Sequence, residues 1–474
     1  MGRRAGTGVA LTAVVAAVLT LAPAASPATF SVTRFDDPVP NGCNAGDCSL
    51  REAIIAANGN SGADSIPLGA GTYELEVAGT DEDLSADGDL DVNDSLTITG
   101  AGIGQTVIDG NGELTGERVM RLDGGTIALS DLTVTDGGDP ASTVFGAGIS
   151  VGDTRATLTR VAVNGNHGQN FGGGVHVGSS GDLTATDGSI SDNRLSQSFG
   201  SALYNDAGTV TLERMSVTGN EALGFATIYN QLQDAEMVIR DSTVSDNSSE
   251  GFGGGLYNQI GAKLTVERST ISGNRAEFSG GGLYLQIDAI TTVVNSTISG
   301  NRSGGSGGGI FMQIDAETEI DNTTITQNTA QDGGGIHVSG GDVSLTSSIL
   351  AGNTATFSPN CTGSVGSGGF NIVGDPADCD FAPQASDRTG VDPQLGPLQN
   401  NGGPTLTHAP SFSSPALDAG IAGGLASDQR GAPRTFDAIN IANAPASDGT
   451  DVGAVELLPG GRLALAQCRG VTEN

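Results

Sequence analysis

GGGLYNQIGAKLTVERSTISGN, residues 253–274, holds one full unit of the pattern that decides the fold. Leu264, Val266 and Ile271 alternate with polar neighbours at strand spacing, and helical periodicity is absent. In the opening strand Leu256, Asn258 and Ile260 share one face, which leaves Tyr257 and Gln259 on the other. The glycine-rich signature recurs as GAGISV, GGGVHV, GSALYN, GFATIYN, GGGLYN, GGGLYL, GGGIFM and GGGIHV. Its aliphatic marks, Ile149, Val175, Leu203, Ile228, Leu256, Leu283, Ile310 and Ile336, lie 25 to 28 residues apart. A second mark closes each unit at Asn166, Asn193, Asn220, Asn247, Asn274, Asn301, Asn328 and Asn353; six of these seven intervals are 27 residues and the last is 25. Strands too short to bury a face alone become stable when successive coils stack and share one core. The chain is therefore expected to be all-β, a right-handed parallel β-helix, the hand following the crossover preference of parallel strands. The Asn column is expected at one corner, each amide bonding the amides above and below it.

Composition agrees and narrows the partners. The 474 residues include 75 Gly, no Trp and one lysine, Lys263, with a formal charge of −34. Phosphate backbones need Lys and Arg, so nucleic acid is excluded as a partner, and so is bare contact with acidic polysaccharide. Neutral glycans, protein surfaces and cation-bridged acidic ligands remain. Residues 1–28 read as a signal peptide: Arg3 and Arg4, an apolar run from Val9 to Leu21, then small residues. That run is too short to span a bilayer and no later stretch approaches the needed length, so no membrane span is expected. Export and an extracellular or cell-surface location make disulfides plausible. Cys43 and Cys48 are neighbours, Cys361 and Cys379 lie 18 positions apart, and Cys468 is left over; other pairings are the rival.

Before the repeats, CSLREAIIAANGN places Ser49 and Glu52 at capping-box spacing, with Leu50, Ala53, Ile54 and Ala57 in one apolar stripe. A short helix capping the open end of the solenoid is implied. Cys48-Ser49-Leu50-Arg51-Glu52-Ala53 resembles the CSLREA signature of exported bacterial β-helix proteins. GGPTLTHAPSFSSPALDAG (402–420), DQRGAPR (428–434) and DVGAVE (451–456) are similar to the choice-of-anchor Q domain, and the repeats resemble those of chlamydial polymorphic outer membrane proteins. The resemblance implies secretion or surface display and adhesion, and carries no defined activity with it. The expected layout is a signal peptide (1–28), an N-terminal cap (29–100), β-helix repeats (101–355), C-terminal coils with the choice-of-anchor Q-like region (356–456) and a tail (457–474). That tail has no apolar span and no Leu-Pro-x-Thr-Gly motif, which favours release or non-covalent retention.

Three chemical readings follow. A polysaccharide lyase or glycoside hydrolase on the same fold is the enzymatic alternative, but the ordered Asn-Thr-Asp, Asp-Asp, Gly-His-Gly and Arg-Ile-Lys set of polygalacturonase-like enzymes is missing, so no catalytic residue is assigned. No cofactor is expected unless calcium binds DLSADGDLDVND: Asp83, Ser85, Asp87, Asp89, Asp91 and Asp94 supply oxygens near calcium-loop offsets, with Gly88 at the sixth position. An acidic turn leading into a strand is the plain alternative. The last reading is a stripe. Tyr204, Tyr229, Tyr257, Tyr284 and Phe311 occupy the outward position after the aliphatic mark, with Gln231, Gln259, Gln286 and Gln313 two residues further on. Exposed, such a stripe offers rings to sugar faces and amides to hydroxyls; covered, it is a stacking ladder. The leading expectation is a non-catalytic rod binding glycan or protein through it.

Overall fold

The computed structural model describes Gly2 and residues 26–80, 83–438 and 441–458. The signal-peptide reading, apart from Gly2 and residues 26–28, lies outside the described residues, as do the tail beyond 458 and Cys468.

The chain winds into a parallel β-solenoid of about 11 turns. At about 4.8 Å per coil, the rod is on the order of 50 Å long. One coil runs through Leu256–Gln259, then a long face made of Lys263–Glu267 and Thr270–Ser272, then the short strand Arg275–Ala276. Successive coils pair in parallel and in register: Leu256 lies beside Leu283, Tyr257 beside Tyr284, Thr270 beside Thr297. Ile228, Leu256, Leu283, Ile310 and Ile336 thus form one fully buried stack inside the rod. Asn258 points inward as expected, whereas Ile260 has left the strand. It sits in the following turn with φ 56° and its side chain is exposed, because the chain must turn there to reach Lys263.

The recurring asparagines stack at one corner and are buried from Asn166 to Asn353. Nδ2 of each donates to Oδ1 of the next, from Asn166–Asn193 at 2.8 Å to Asn328–Asn353 at 3.0 Å. The residue just before each corner needs left-handed backbone, which explains Gly273 (φ 67°) and Gly300 (φ 68°) in the two SGN units. Two further ladders lie inside. Backbone N–H groups of Met215, Ser242, Ser269, Ser296 and Thr323 donate to the hydroxyls of Ser242, Ser269, Ser296, Thr323 and Ser348 in turn. The side chains of Asn205, Asn230 and Asn258 form a buried amide chain with links of 2.8 Å.

A capping helix covers the N-terminal end, and a disulfide staples the chain near each end. The helix α1, Leu50–Asn58, carries a complete capping box between Ser49 and Glu52 and buries Leu50, Ala53, Ile54 and Ala57 against the first coils. Cys43–Cys48 staples the loop before it, and Cys361–Cys379 links the last regular coils. Among the described residues, no helix is long and apolar enough to cross a membrane.

Candidate functional site

The aromatic column is not a surface stripe. Tyr204, Tyr229, Tyr257, Tyr284 and Phe311 do point away from the coil interior, but they are only 3 to 8 % exposed. Loops that follow the short strands fold back over this face, and three of them lay a second ring on the first. Phe171 packs on Tyr204 with centroids 4.6 Å apart, Phe199 on Tyr229 at 4.8 Å and Phe252 on Tyr284 at 4.9 Å. The outer phenylalanines, from Phe145 to Phe278, stack on one another in turn. The amides are engaged as well. Gln231 and Gln259 donate to the hydroxyls of Tyr204 and Tyr229, Gln313 to that of Tyr284, and Tyr257 donates to Gln286. Burial raises the Tyr204, Tyr229, Tyr257 and Tyr284 hydroxyls far above the usual phenol range, so all stay protonated. The column is a two-layer ladder that stiffens the rod, and the expectation of an exposed sugar-binding strip is corrected accordingly. The outer phenylalanines escaped the sequence reading because they sit in variable loops and shift by one place at Phe225 and at Phe278. A Phe three to five residues ahead of the aliphatic mark in the first six units was the signal available.

The acidic loop 83–94 is organised around a cation that the chain itself supplies. The guanidinium of Arg51, fully buried, donates to the carbonyls of Gly88 (2.8 Å) and Asp89 (3.0 Å) and to the Asp37 carboxylate. Asp91 is buried and accepts from the Ser85 backbone at 3.0 Å. Asp83 pairs with Arg121 at the surface. Asp89 lies 3.4 Å from Arg118; burial raises its carboxyl to about 6, against the pull of that arginine. Among the described residues, no three His, Cys, Asp or Glu side chains converge as a metal ion would need. Arg51 stands at the centre of the loop.

Residues 391–438 and 441–458 return along the rod as a strap over the Thr270–Ser272 face. Each of three successive coils offers two outward hydroxyls there: Thr270 and Ser272, Thr297 and Ser299, Thr324 and Thr326. All six are buried under the strap. Thr270 donates to the Leu406 carbonyl at 2.6 Å, Thr297 to Gln429 at 2.6 Å, and Ser299 meets His408 Nε2 at 2.8 Å. Thr324 accepts from the Ala454 backbone at 3.0 Å. Hydroxyls suit this task because each can donate or accept, so they meet both carbonyls and N–H groups of a chain crossing the strands. The strap is locked by buried carboxylates that cap its own turns. Asp428 accepts from the backbones of Arg430, Ala432 and Glu456; Glu456 accepts from Phe436 and Asp451. Arg434, also buried, reaches the Gly453 carbonyl at 2.8 Å and pairs with Asn295. Burial raises the carboxyls of both Asp451 and Glu456.

The same face continues, uncovered, on the preceding coils. Ser189 and Ser191, Ser216 and Thr218, Thr243 and Ser245 stand in register with the covered rows, and all six are partly or fully exposed. A column of left-handed residues borders the rows at the bend of the long face. It reads Asp131, Arg160, Asp187, Arg214 and Asp241 on the open coils, then Arg268, Asn295, Asn322 and Ser347 beneath the strap. The open part neutralises itself: Arg160 forks onto Asp131, Arg214 onto Asp187 and Arg268 onto Asp241, with every contact between 2.6 and 3.0 Å. The Arg160 and Arg214 hydrogen bonds hold the Asp131 and Asp187 carboxyls below the usual range. A groove of about 600 Å³ lies where open rows meet the strap, lined by Asp187, Arg214, Ser216, Asp241, Thr243 and the strap tip Pro404–Thr405–Leu406.

Against known proteins, residues 122–286 match the family model for a right-handed β-helix region, and residues 295–313 match that for the Chlamydia polymorphic membrane protein repeat. No curated protein matches the chain. Among solved structures, the chain is similar to the A-module of the Azotobacter vinelandii mannuronan C-5 epimerase AlgE6, at 20 % identity over 77 % of this chain and 96 % of that one, with a TM-score of 0.43. It is also similar to the AlgE4 A-module of the same organism, at 18 % identity over 76 % of this chain and 97 % of that one, TM-score 0.40. A mannuronic acid specific polysaccharide family 6 lyase from human gut microbiota aligns at 11 % identity over 76 % of this chain and 91 % of that one, TM-score 0.35. From its own coils and the β-helix family match, the chain is a parallel β-helix protein.

Proposed function

We propose that the protein is an exported or surface-associated, non-catalytic rod that binds an extended, uncharged ligand, glycan or protein, along the open hydroxyl rows. One observation carries this reading: Ser189/Ser191, Ser216/Thr218 and Thr243/Ser245 repeat, uncovered, the hydroxyl pairs that hold a docked chain three coils further on. The bordering charges are paired with each other, which leaves hydrogen bonding as the source of affinity and favours a ligand without net charge. The formal charge of −34 acts in the same direction by repelling acidic chains. Two disulfides support an oxidising compartment outside the cytosol, and the polymorphic membrane protein repeat match supports surface display. The test is to screen the purified protein on glycan and protein arrays, and in parallel against neutral and acidic polysaccharides for reducing ends or unsaturated products. Retained binding without turnover is expected. Robust turnover overturns the reading in favour of a polysaccharide-degrading enzyme.

A further inference from the structure

We infer that the ligand of the open rows is an extended, uncharged polypeptide segment of a partner protein, laid across the coils as residues 404–408 of this chain are laid across the covered ones. The inference rests on the binding role proposed above and names the ligand class for the same face. A polypeptide is the occupant that this face already holds. Within the strap, residues 395–399 and 407–410 form a hairpin through the Leu395–Pro410 and Gln399–Thr407 bridges. Between them the chain passes over the coils: Thr405 donates to the Arg268 carbonyl at 3.2 Å, Leu406 accepts from Thr270, and two residues later His408 meets Ser299 on the next coil. Two residues of extended chain cover about 6.7 Å, enough to climb one coil of about 4.8 Å on a diagonal, so each coil supplies a hydroxyl to the segment as it passes.

The open rows repeat that arrangement in position and chemistry. Ser216 and Thr243 stand in the column of Thr270, Thr218 and Ser245 in the column of Ser272. The hairpin tip ends over them, and Leu406, 40 % exposed, forms an apolar lip to the groove. A segment entering there would continue the strap's path past its tip, with Leu406 packing a small apolar side chain. Where the strap lies, the bordering column is Arg268, Asn295, Asn322 and Ser347, and the side chains of two of these bond it: Asn295 donates to the Ser427 carbonyl at 2.8 Å, and Ser347 accepts from the Ile421 backbone at 2.8 Å. On the open coils that column keeps its charges in Asp–Arg forks. An entering segment therefore needs no charge of its own and draws its bonds from the Ser and Thr rows.

The probe is a fluorescein-labelled peptide GGPTLTHAPS, copying residues 402–411, with a scrambled peptide as control. It is titrated into the disulfide-intact protein, into Ser216→Arg with Thr243→Arg, which blocks the rows, and into Ser216→Ala with Thr243→Val, which removes only the hydroxyls. Saturable binding to the parent is expected, weakened about tenfold by loss of the hydroxyls and abolished by the arginines, at unchanged melting temperature and with little salt dependence. Equal binding to the parent and both variants, or to the scrambled peptide, overturns the inference. Absence of peptide binding, where a neutral glycan from the array binds the parent and is lost in the arginine variant, overturns the polypeptide assignment and leaves the binding rod standing. Absence of any ligand on these rows overturns both.

Discussion

Oδ1 of Asn301 receives two hydrogen bonds from Asn274, one from its side-chain amide and one from its backbone N–H, both at 3.0 Å. Asn274 in turn accepts the same pair from Asn247, and its amide also donates to the Val244 carbonyl at 2.9 Å. Every donor and acceptor at this corner is thus used without water. Asn274→Ala strips the acceptor from Asn247 and the donor from Val244 and Asn301 at once. A loss of about 1–3 kcal/mol or more in denaturant unfolding is expected, since buried groups are left unpaired. A loss below about 0.5 kcal/mol would show that the corner is hydrated and that the amides are not its support.

The double substitution Tyr257→Ala with Tyr284→Ala tests the aromatic ladder through stability. Each removes a buried ring from the inner stack, Tyr257 from between Tyr229 and Tyr284 and Tyr284 from beneath Phe252, and losses of about 3–5 kcal/mol per ring follow from core truncations of that size. Tyr257→Phe keeps the ring and leaves Gln286 short of one partner, for about 1 kcal/mol. Thermal melts of the three proteins check the order: parent, then Tyr257→Phe, then the double alanine variant far below.

What the sequence could reveal divides along the same line. The period, the inward aliphatic stacks, the Asn corner and the capping box each rest on residues within one coil or repeated at fixed spacing, so they were legible. Covering was not. Phe252 reaches Tyr284 from the neighbouring coil through a loop whose length varies from coil to coil, and His408 reaches Ser299 across 109 residues. The phenylalanines do recur with the coils, but their spacing does not say which ring they cover, and the His408 contact leaves no periodic trace at all. The outward direction of Tyr257 was correctly read from alternation, but alternation says which way a side chain points and nothing of what lies above it. The hydroxyl rows were visible as STISGN-type units and went unread, because Ser and Thr in outward strand positions look like ordinary solvent-facing residues until a docked strap shows their use.

Arg51 offers a sharper test of the N-terminal cap. Its guanidinium joins Asp37 to the carbonyls of the 83–94 loop inside the protein, so Arg51→Met leaves the Asp37 carboxylate buried without its partner. A cost of about 3–5 kcal/mol is expected. Asp37→Asn together with Arg51→Met should recover part of it, and added calcium should not substitute for the missing cation in either variant. Melting temperatures with and without calcium decide the matter.

Acid sensitivity should trace to His176, which stacks on Tyr204 at 5.7 Å and on Phe145 at 5.3 Å. Burial pushes it down to about 4; Asp206 opposes the shift and Arg118 adds to it. The unfolded chain takes up this proton near pH 6.5 while the fold refuses it, so stability is complete above about 6.5 and lost progressively as pH falls toward 4. The loss is at most about 3 kcal/mol. His176→Phe keeps the stack and should flatten that part of the stability curve relative to the parent; an unchanged difference between pH 7 and pH 4.5 would place the acid sensitivity elsewhere.

The location of binding, on the hydroxyl rows and not on the aromatic column, is tested most directly by one paired titration. The ligand selected on the arrays is titrated into the parent protein, into Ser216→Arg with Thr243→Arg, and into Tyr257→Phe. The account predicts that the arginine variant loses binding at least tenfold with an unchanged melting temperature, while Tyr257→Phe melts slightly earlier and binds as the parent does. Undiminished binding by the arginine variant, or binding lost in Tyr257→Phe alone, would contradict it.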